Sequence, residues 1–436
     1  MKKTEKKFLY SILILLLGIM IFLTFNRHSK SGYFNYHSEI WADKAGYYVY
    51  LPATFKYAFN PDEFPDSMDV RTGNGFSLDL KDHKIRTKYT CGVALMQIPF
   101  YFLADVLATP LQQKTDGFSP VYHRAVDVAA VFYLLAGILF LYLLLRNYFK
   151  ISVTVLVLAS LVLGTNLYYY AIDETGMSHV YSFALFSGYL YLRKRFREKE
   201  NKQILRLVII SMIAGLIILL RPLNVIFLIG TFFLDVQNRN DIKRRLGSVF
   251  RIKTLGIILI SVFVMLSPQL FYWKYLTGSF ISYSYGNEGF NWLNPQLMIT
   301  WFSPKNGLLL YSPLVLIMLF SIVYMIFQKQ SRSNGALIGI LFLVLSYVLS
   351  CWWQPEFGCS FGARNFVEYY ALFALALGYG YQSIIKKGWL IQSIFWLIIA
   401  LMIAYNLKMT YSYDGCFYGI GYWDWNTFWH VVVSET

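Results

Sequence analysis

The sequence predicts an all-α polytopic membrane protein: about eleven transmembrane helices in one domain, with interfacial helices in the first outer loop. Three observations carry this expectation. Apolar stretches of span length recur along the whole 436 residues, 57% of residues are hydrophobic, and only 14% are charged. Lys and Arg gather in short loops between those stretches, as orientation signals do. That clustering accounts for the net charge of +15 without nucleic acid as a partner. The 19% aromatic content is partly interfacial anchoring by Tyr and Trp.

The first span reads from about Phe8 to Phe25, behind a Lys-rich start. No small-x-small cleavage site follows, only Asn26-Arg27-His28, so the segment is expected to stay attached with its N-terminus in the cytoplasm. A long outer loop, 26–122, comes next. Within it Cys91 to Ala108 is apolar but interrupted by Gly92, Pro99 and Asp105, and reads as an interfacial helix. The second span, Ala125 to Leu145, ends inside at Arg146. The third, Val153 to Tyr170, returns outside. The fourth, Val180 to Leu192, meets the inside cluster Arg193-Lys194-Arg195-Phe196-Arg197.

Ile204 to Asp235 is too long for one helix and is broken at Arg221-Pro222-Leu223-Asn224. Proline disrupts a helix interior and arginine is costly mid-bilayer. The stretch therefore divides into spans five and six, with Arg221 at an outer turn. Span seven is Leu255 to Tyr272, span eight Leu308 to Phe327 and span nine Ala336 to Leu349. Span ten is Tyr369 to Ser383 and span eleven Leu390 to Leu407, leaving 408–436 as an outer tail. On this topology all six His and all four Cys lie outside. Disulfides are then permitted, and Cys359 with Cys416 is the expected pair.

Charge and aromatics combine in a few outer segments. Glu39-Ile40-Trp41-Ala42-Asp43 places a carboxylate among apolar residues at the bilayer edge, where it needs a partner or a job. Asp173-Glu174 and His179 follow span three. Arg221 sits at its turn, Arg364 ends a Gly-rich run after span nine, and Arg86 and Lys88 precede the interfacial helix. A carboxylate can take a proton from an acceptor hydroxyl, while Arg and Lys can hold a lipid phosphate. Simpler roles exist for each. Asp43 could pair with Lys44, and Glu39 could share its helical face four residues earlier. Asp173 and Glu174 could cap the next helix, and Arg364 could bridge to Glu368. Metal-ligand spacings of the His-x-x-x-His or Cys-x-x-Cys type are absent, as is a phosphate-cradling Gly-Lys-Ser/Thr loop. No cofactor is implied, although the carboxylates leave a divalent metal open.

This constellation resembles the GT-C superfamily of integral-membrane glycosyltransferases. It is most similar to the branch with the protein O-mannosyltransferases and the lipid A aminoarabinose transferase. The resemblance makes Asp43 the catalytic base or acceptor-binding carboxylate, Lys88 a phosphate contact, and Asp173 or Glu174 the second-loop carboxylate. The chain departs from the pattern in lacking the mannosyltransferases' adjacent acidic pair. It also has Lys88-Tyr89-Thr90 where the aminoarabinose enzyme has a lysine followed by prolines.

The expected function is inverting transfer of a sugar from a polyprenyl-phosphate donor to an envelope acceptor, whether glycan, lipid or protein. It would occur on the outer face of a bacterial inner membrane. Asp43 is the expected catalytic residue, with Glu39, Lys88, Asp173, Glu174, His179, Arg221 and Arg364 binding substrate. The alternatives are an envelope-glycan polymerase or ligase, which would depend on Arg364 and His179, and a lipid-linked glycan transporter or flippase. The latter calls for midplane charges and related half-molecules.

Overall fold

The computed structural model describes residues 3–198, 203–413 and 424–434. The chain is an all-helical membrane protein, with a two-stranded hairpin in the first loop. Among the described residues, six helices are long and apolar enough to cross a membrane: Leu9–His28 within α1 (Lys3–His28), α6 (Pro120–Leu145), α10 (Gln203–Leu220), α13 (Ile252–Thr277), α17 (Arg332–Ser350) and α19 (Trp389–Ser412). The other expected spans correspond to shorter or more polar helices. These are α7 (Ile151–Leu163) with α8 (Leu167–Ile172), α9 (Ser178–Glu198), α11 (Val225–Phe232), α15 (Leu308–Tyr311) with α16 (Leu314–Phe327), and α18 (Tyr370–Ile384).

Spans three and eight, each expected to be one continuous helix, are both broken, and the two breaks answer each other. The first falls at Gly164–Asn166 and the second at Ser312–Pro313. A broken helix exposes orphan backbone groups that must be satisfied internally. The Asn166 amide donates to Ser312 Oγ at 3.1 Å, and the Asn166 side chain donates to the Phe361 carbonyl at 3.0 Å. Tyr370 donates to Asn166 Oδ1 at 2.8 Å, and Asn406 donates to the Tyr311 carbonyl at 2.7 Å. The expected break at Arg221 is present: α10 stops at Leu220 and a 3-10 turn, Pro222–Asn224, leads into α11.

Helix ends expected to share the cytoplasmic side do meet. Arg193 and Arg245 both donate to the carbonyls of Phe232 and Leu234. Asp235 accepts from Asn334 at 2.9 Å and from Tyr148 at 3.0 Å. Arg146 lies 3.6 Å from Glu5.

At the opposite end the first loop folds into a cap. It comprises α2 (Asp43–Tyr48), α3 (Tyr50–Phe55), α4 (Met68–Arg71), the hairpin β1 (Ser77–Asp79) and β2 (Lys84–Arg86), and α5 (Gly92–Ala108). The apolar segment read as a helix after Cys91 is α5, packed on α6 and α10. Buried tyrosines hold the cap: Tyr48 donates to the Gly117 carbonyl and Tyr50 to the Tyr89 carbonyl, both at 2.6 Å. The remaining helices are α12 (Arg239–Val249), α14 (Leu297–Phe302) and α20 (Trp425–Val433). Cys91 and Cys351 are free and buried. Cys359 is disulfide-bonded, and its expected partner Cys416 lies outside the described residues.

Candidate active site

Asp43 opens α2, and its position is set by close backbone packing. Ala42, just before it, has φ of 48°, a left-handed conformation unusual for alanine. Gly75 makes this possible, because a Cβ there would lie 1.8 Å from the Ala42 carbonyl oxygen. One turn on, a Cβ at Gly46 would lie 2.3 Å from the Tyr89 ring. Two small residues thus bring the start of α2, the hairpin approach and Tyr89 into contact.

Both Asp43 oxygens are engaged. Oδ1 accepts a short hydrogen bond from the Tyr89 hydroxyl, and Oδ2 accepts from Arg364 at 3.2 Å. Burial pushes the Asp43 carboxyl up, but the Arg364 guanidinium, the Tyr89 hydroxyl and the Lys88 ammonium outweigh it and hold the group below its ordinary value. The side chain keeps 35% of its surface exposed. It opens onto a cavity of about 640 Å³ whose wall includes Arg86, Lys88, Tyr89, Tyr283 and Ser284.

The cations around it arrive already partnered. Lys88 Nζ is 2.6 Å from Glu288 and sits 5.6 and 5.5 Å from the ring centres of Tyr89 and Tyr285. Arg364 begins a 3-10 turn after Gly362, whose φ of 66° suits glycine. Its carboxylate is Asp43, not Glu368 four residues later. Glu368 is instead held by Arg221 at 3.0 Å and by His179 Nδ1 at 3.0 Å. Arg221 Nη1 also lies 3.4 Å from His179 Nδ1, which closes the Arg221, Glu368 and His179 cluster. Lys44, the simple partner for Asp43, pairs with Glu174 at 2.9 Å. Asp173 pairs with Arg27 at 2.8 Å, joining the end of the first span to the loop after the third.

Glu39 goes elsewhere. The expectation that it shares a helical face with Asp43 is corrected, because α2 begins only at Asp43 and Glu39 precedes it in the loop. Glu39 is 2% exposed and lies 3.0 Å from His123, 3.3 Å from Arg124 and 3.5 Å from His28. Arg86 braces the hairpin through Asp79 and Asp82 while facing the cavity.

Sequence reasoning missed Tyr89, Glu288, Arg27, His28, His123, Arg124 and Asp127. One signal was available: Asp127 is an ionisable residue inside the second apolar helix, where carboxylates are rare. Tyr89 and Glu288 carried none, since tyrosines abound here and Glu288 lies 200 residues from Lys88.

No protein-family model and no curated protein matches the sequence. Solved structures of an archaeal oligosaccharyltransferase do share its fold. The Archaeoglobus fulgidus enzyme tethered to an acceptor peptide with an NVT sequon matches at TM-score 0.53 and 13% identity, over 92% of this chain and 55% of that one. The same organism's oligosaccharyltransferase AglB with an inhibitory peptide and dolichol-phosphate matches at 0.53 and 15%, over 95% and 57%. A complex with Zn and sulfate matches at 0.52 and 15%, over 92% and 53%. At these identities the likeness is one of fold: the chain shares the membrane fold of this oligosaccharyltransferase. It spans little more than half of their length.

The Asp43 carboxylate does not suit a metal ion as it stands, with Arg364 on one oxygen and Tyr89 on the other. Asp173 and Glu174 are likewise each taken by a cation.

Proposed function

We propose that the chain is an inverting glycosyltransferase of the GT-C type. It moves a sugar from a polyprenyl-phosphate donor to an envelope acceptor, a glycan, lipid or protein, on the outer face of a bacterial inner membrane. The observation that carries this reading is the Asp43 carboxylate, gripped by Arg364 and open to a cavity that also contains Lys88. The superfamily branch with the O-mannosyltransferases and the aminoarabinose transferase is the finer part of the proposal. The fold neighbours bind a lipid phosphate and an acceptor peptide, which suits a lipid-linked donor and a separate acceptor here.

The chemistry follows from the partners. The donor phosphate draws Arg364 away from Asp43, with Lys88 and Arg221 adding positive charge. Asp43 Oδ2 is then free to accept the proton of the acceptor hydroxyl. The acceptor oxygen bonds to the anomeric carbon as the bond from that carbon to the phosphate oxygen breaks. The polyprenyl phosphate leaves with the electron pair. Its second pKa is about 6, so it needs charge stabilisation more than a proton. Anomeric configuration inverts because the attack is a single displacement. His179, 1% exposed and turned to Glu368, supports Arg221 instead of meeting substrate. This counts against the polymerase or ligase reading that relies on it.

The test is envelope mass spectrometry on a strain lacking the gene, complemented with wild type or Asp43→Asn at matched levels. The expected result is loss of one sugar from an envelope component and build-up of a polyprenyl-phosphate monosaccharide in the mutant and the deletion alike. Full repair by Asp43→Asn would remove Asp43 as the base. An unchanged envelope in the deletion would turn the reading toward transport.

A further inference from the structure

We infer that α12 is an interfacial helix that binds anionic phospholipid headgroups, on the membrane leaflet at the end of the bundle opposite the cap. The surface is separate from Asp43 and does not rest on the glycosyltransferase reading.

The helix is amphipathic, and its apolar face has no cover from the protein. Ile242, Leu246, Val249 and the capping residue Phe250 recur at the i, i+4, i+7, i+8 spacing of one helical face. In a soluble protein such a face packs on a core. Here no residue of α12 is buried, and Leu246 and Phe250 are 40% and 68% exposed. Nor is the helix loosely attached. Asn238 accepts from the Asp241 amide at 3.0 Å to cap its start. Arg245, on one flank of the apolar face, donates to the carbonyls of Phe232 and Leu234 at the end of α11.

The chain that follows indicates what covers the face. Only Phe250 and Arg251 separate α12 from α13, which is long and apolar enough to cross a membrane and is itself mostly unburied. Lipid that surrounds α13 therefore begins within two residues of α12.

Charge then selects the kind of lipid. Residues 239–253 carry six basic side chains and one acid. That acid, Asp241, takes Arg244 at 3.0 Å. Arg239, Lys243, Arg251 and Lys253 are exposed and have no carboxylate partner among the described residues. Lys243 flanks the apolar face on the side away from Arg245, where a long stem lets its ammonium reach the headgroups. A helix of this kind lies in the interface plane, held by buried apolar area and by attraction to anionic lipids. A nucleic acid would answer the charges and leave the apolar face in water. A bilayer with anionic headgroups answers both.

The experiment places the full-length chain in nanodiscs of phosphatidylcholine alone or of an equal mixture with phosphatidylglycerol. Hydrogen–deuterium exchange is followed over residues 239–253. Each basic side chain near an anionic surface adds about fivefold to affinity, so exchange should slow by about that factor or more in the mixed nanodiscs. Raised salt should remove the difference. The Lys243→Gln, Arg251→Gln, Lys253→Gln triple variant leaves Arg245 in place and should also lose the difference. Equal exchange in the two lipids at low salt would overturn the proposal. Protection by phosphatidylglycerol that survives in the triple variant would place the lipid elsewhere, and overturn it too. Protection already complete in detergent, and rising with protein concentration, would assign the face to a second copy of the chain instead. The wild-type comparison at low and raised salt decides the matter even if the variant fails to fold.

Discussion

Asp43 and Glu39 lie four residues apart in one loop, yet the structure treats them as opposites. Asp43 is 35% exposed, faces a cavity, and is bound by groups that a phosphate could recruit. Glu39 is 2% exposed and enclosed by two histidines and an arginine. The first arrangement keeps a charge available for a ligand, and the second uses a charge to join three chain segments. A buried, fully partnered carboxylate is costly to disturb but has no free face to offer a substrate. Accessibility and replaceable partners, more than charge itself, distinguish a site of chemistry from a site of construction.

The sharpest way to break this contrast is Asp43→Asn. Removing a general base costs about 10²–10⁴ in rate, so sugar transfer in purified membranes should fall by that factor, with thermal stability little changed. Comparable activity in the mutant would erase the distinction. Next is Arg364→Gln, which removes both a phosphate contact and the cation holding the Asp43 carboxyl down. Donor use should fall about tenfold or more, from loss of a charge-assisted hydrogen bond. The sign of the pH effect is fixed: without Arg364 the Asp43 pKa rises, so protonation begins at higher pH. The acid limb of the rate profile should therefore move upward, and an unmoved limb would argue that another group is the base.

Glu39→Gln should behave in the reverse manner. It leaves buried partners imperfectly paired, at about 1–3 kcal/mol, read as a lower thermal midpoint. The turnover of the folded fraction should change little. A large loss of turnover at unchanged stability would move Glu39 into the chemistry. The smallest effect is expected for Lys88→Ala. This half-exposed residue is paired with Glu288, so the donor KM should rise severalfold while kcat holds, as for a contact made equally in ground and transition states.

The helical membrane architecture was legible in the sequence because it is written in local terms. Span-length apolar runs, loop cations and the Arg221-Pro222 break each act within a few residues. The apolar flanks of Asp43 are local in the same way, and its part in the chemistry is our proposal. The breaks in spans three and eight were not, since their freed polar groups are satisfied by distant partners, as where the Asn166 amide meets Ser312 across 146 residues. Pairings were the least legible. Helical spacing suggested Arg364 with Glu368 and Glu39 beside Asp43, and simple adjacency suggested Asp43 with Lys44. Each was replaced by a partner distant in sequence: Arg364 with Asp43, Lys44 with Glu174, and Glu39 with His123. The sequence by itself marked Asp43, Arg221 and Arg364 as charges beside apolar runs, because burying an ion is costly wherever the chain goes. Only the tertiary structure decided which charge answers which, because a buried ion takes the nearest opposite charge in space, whatever its distance along the chain.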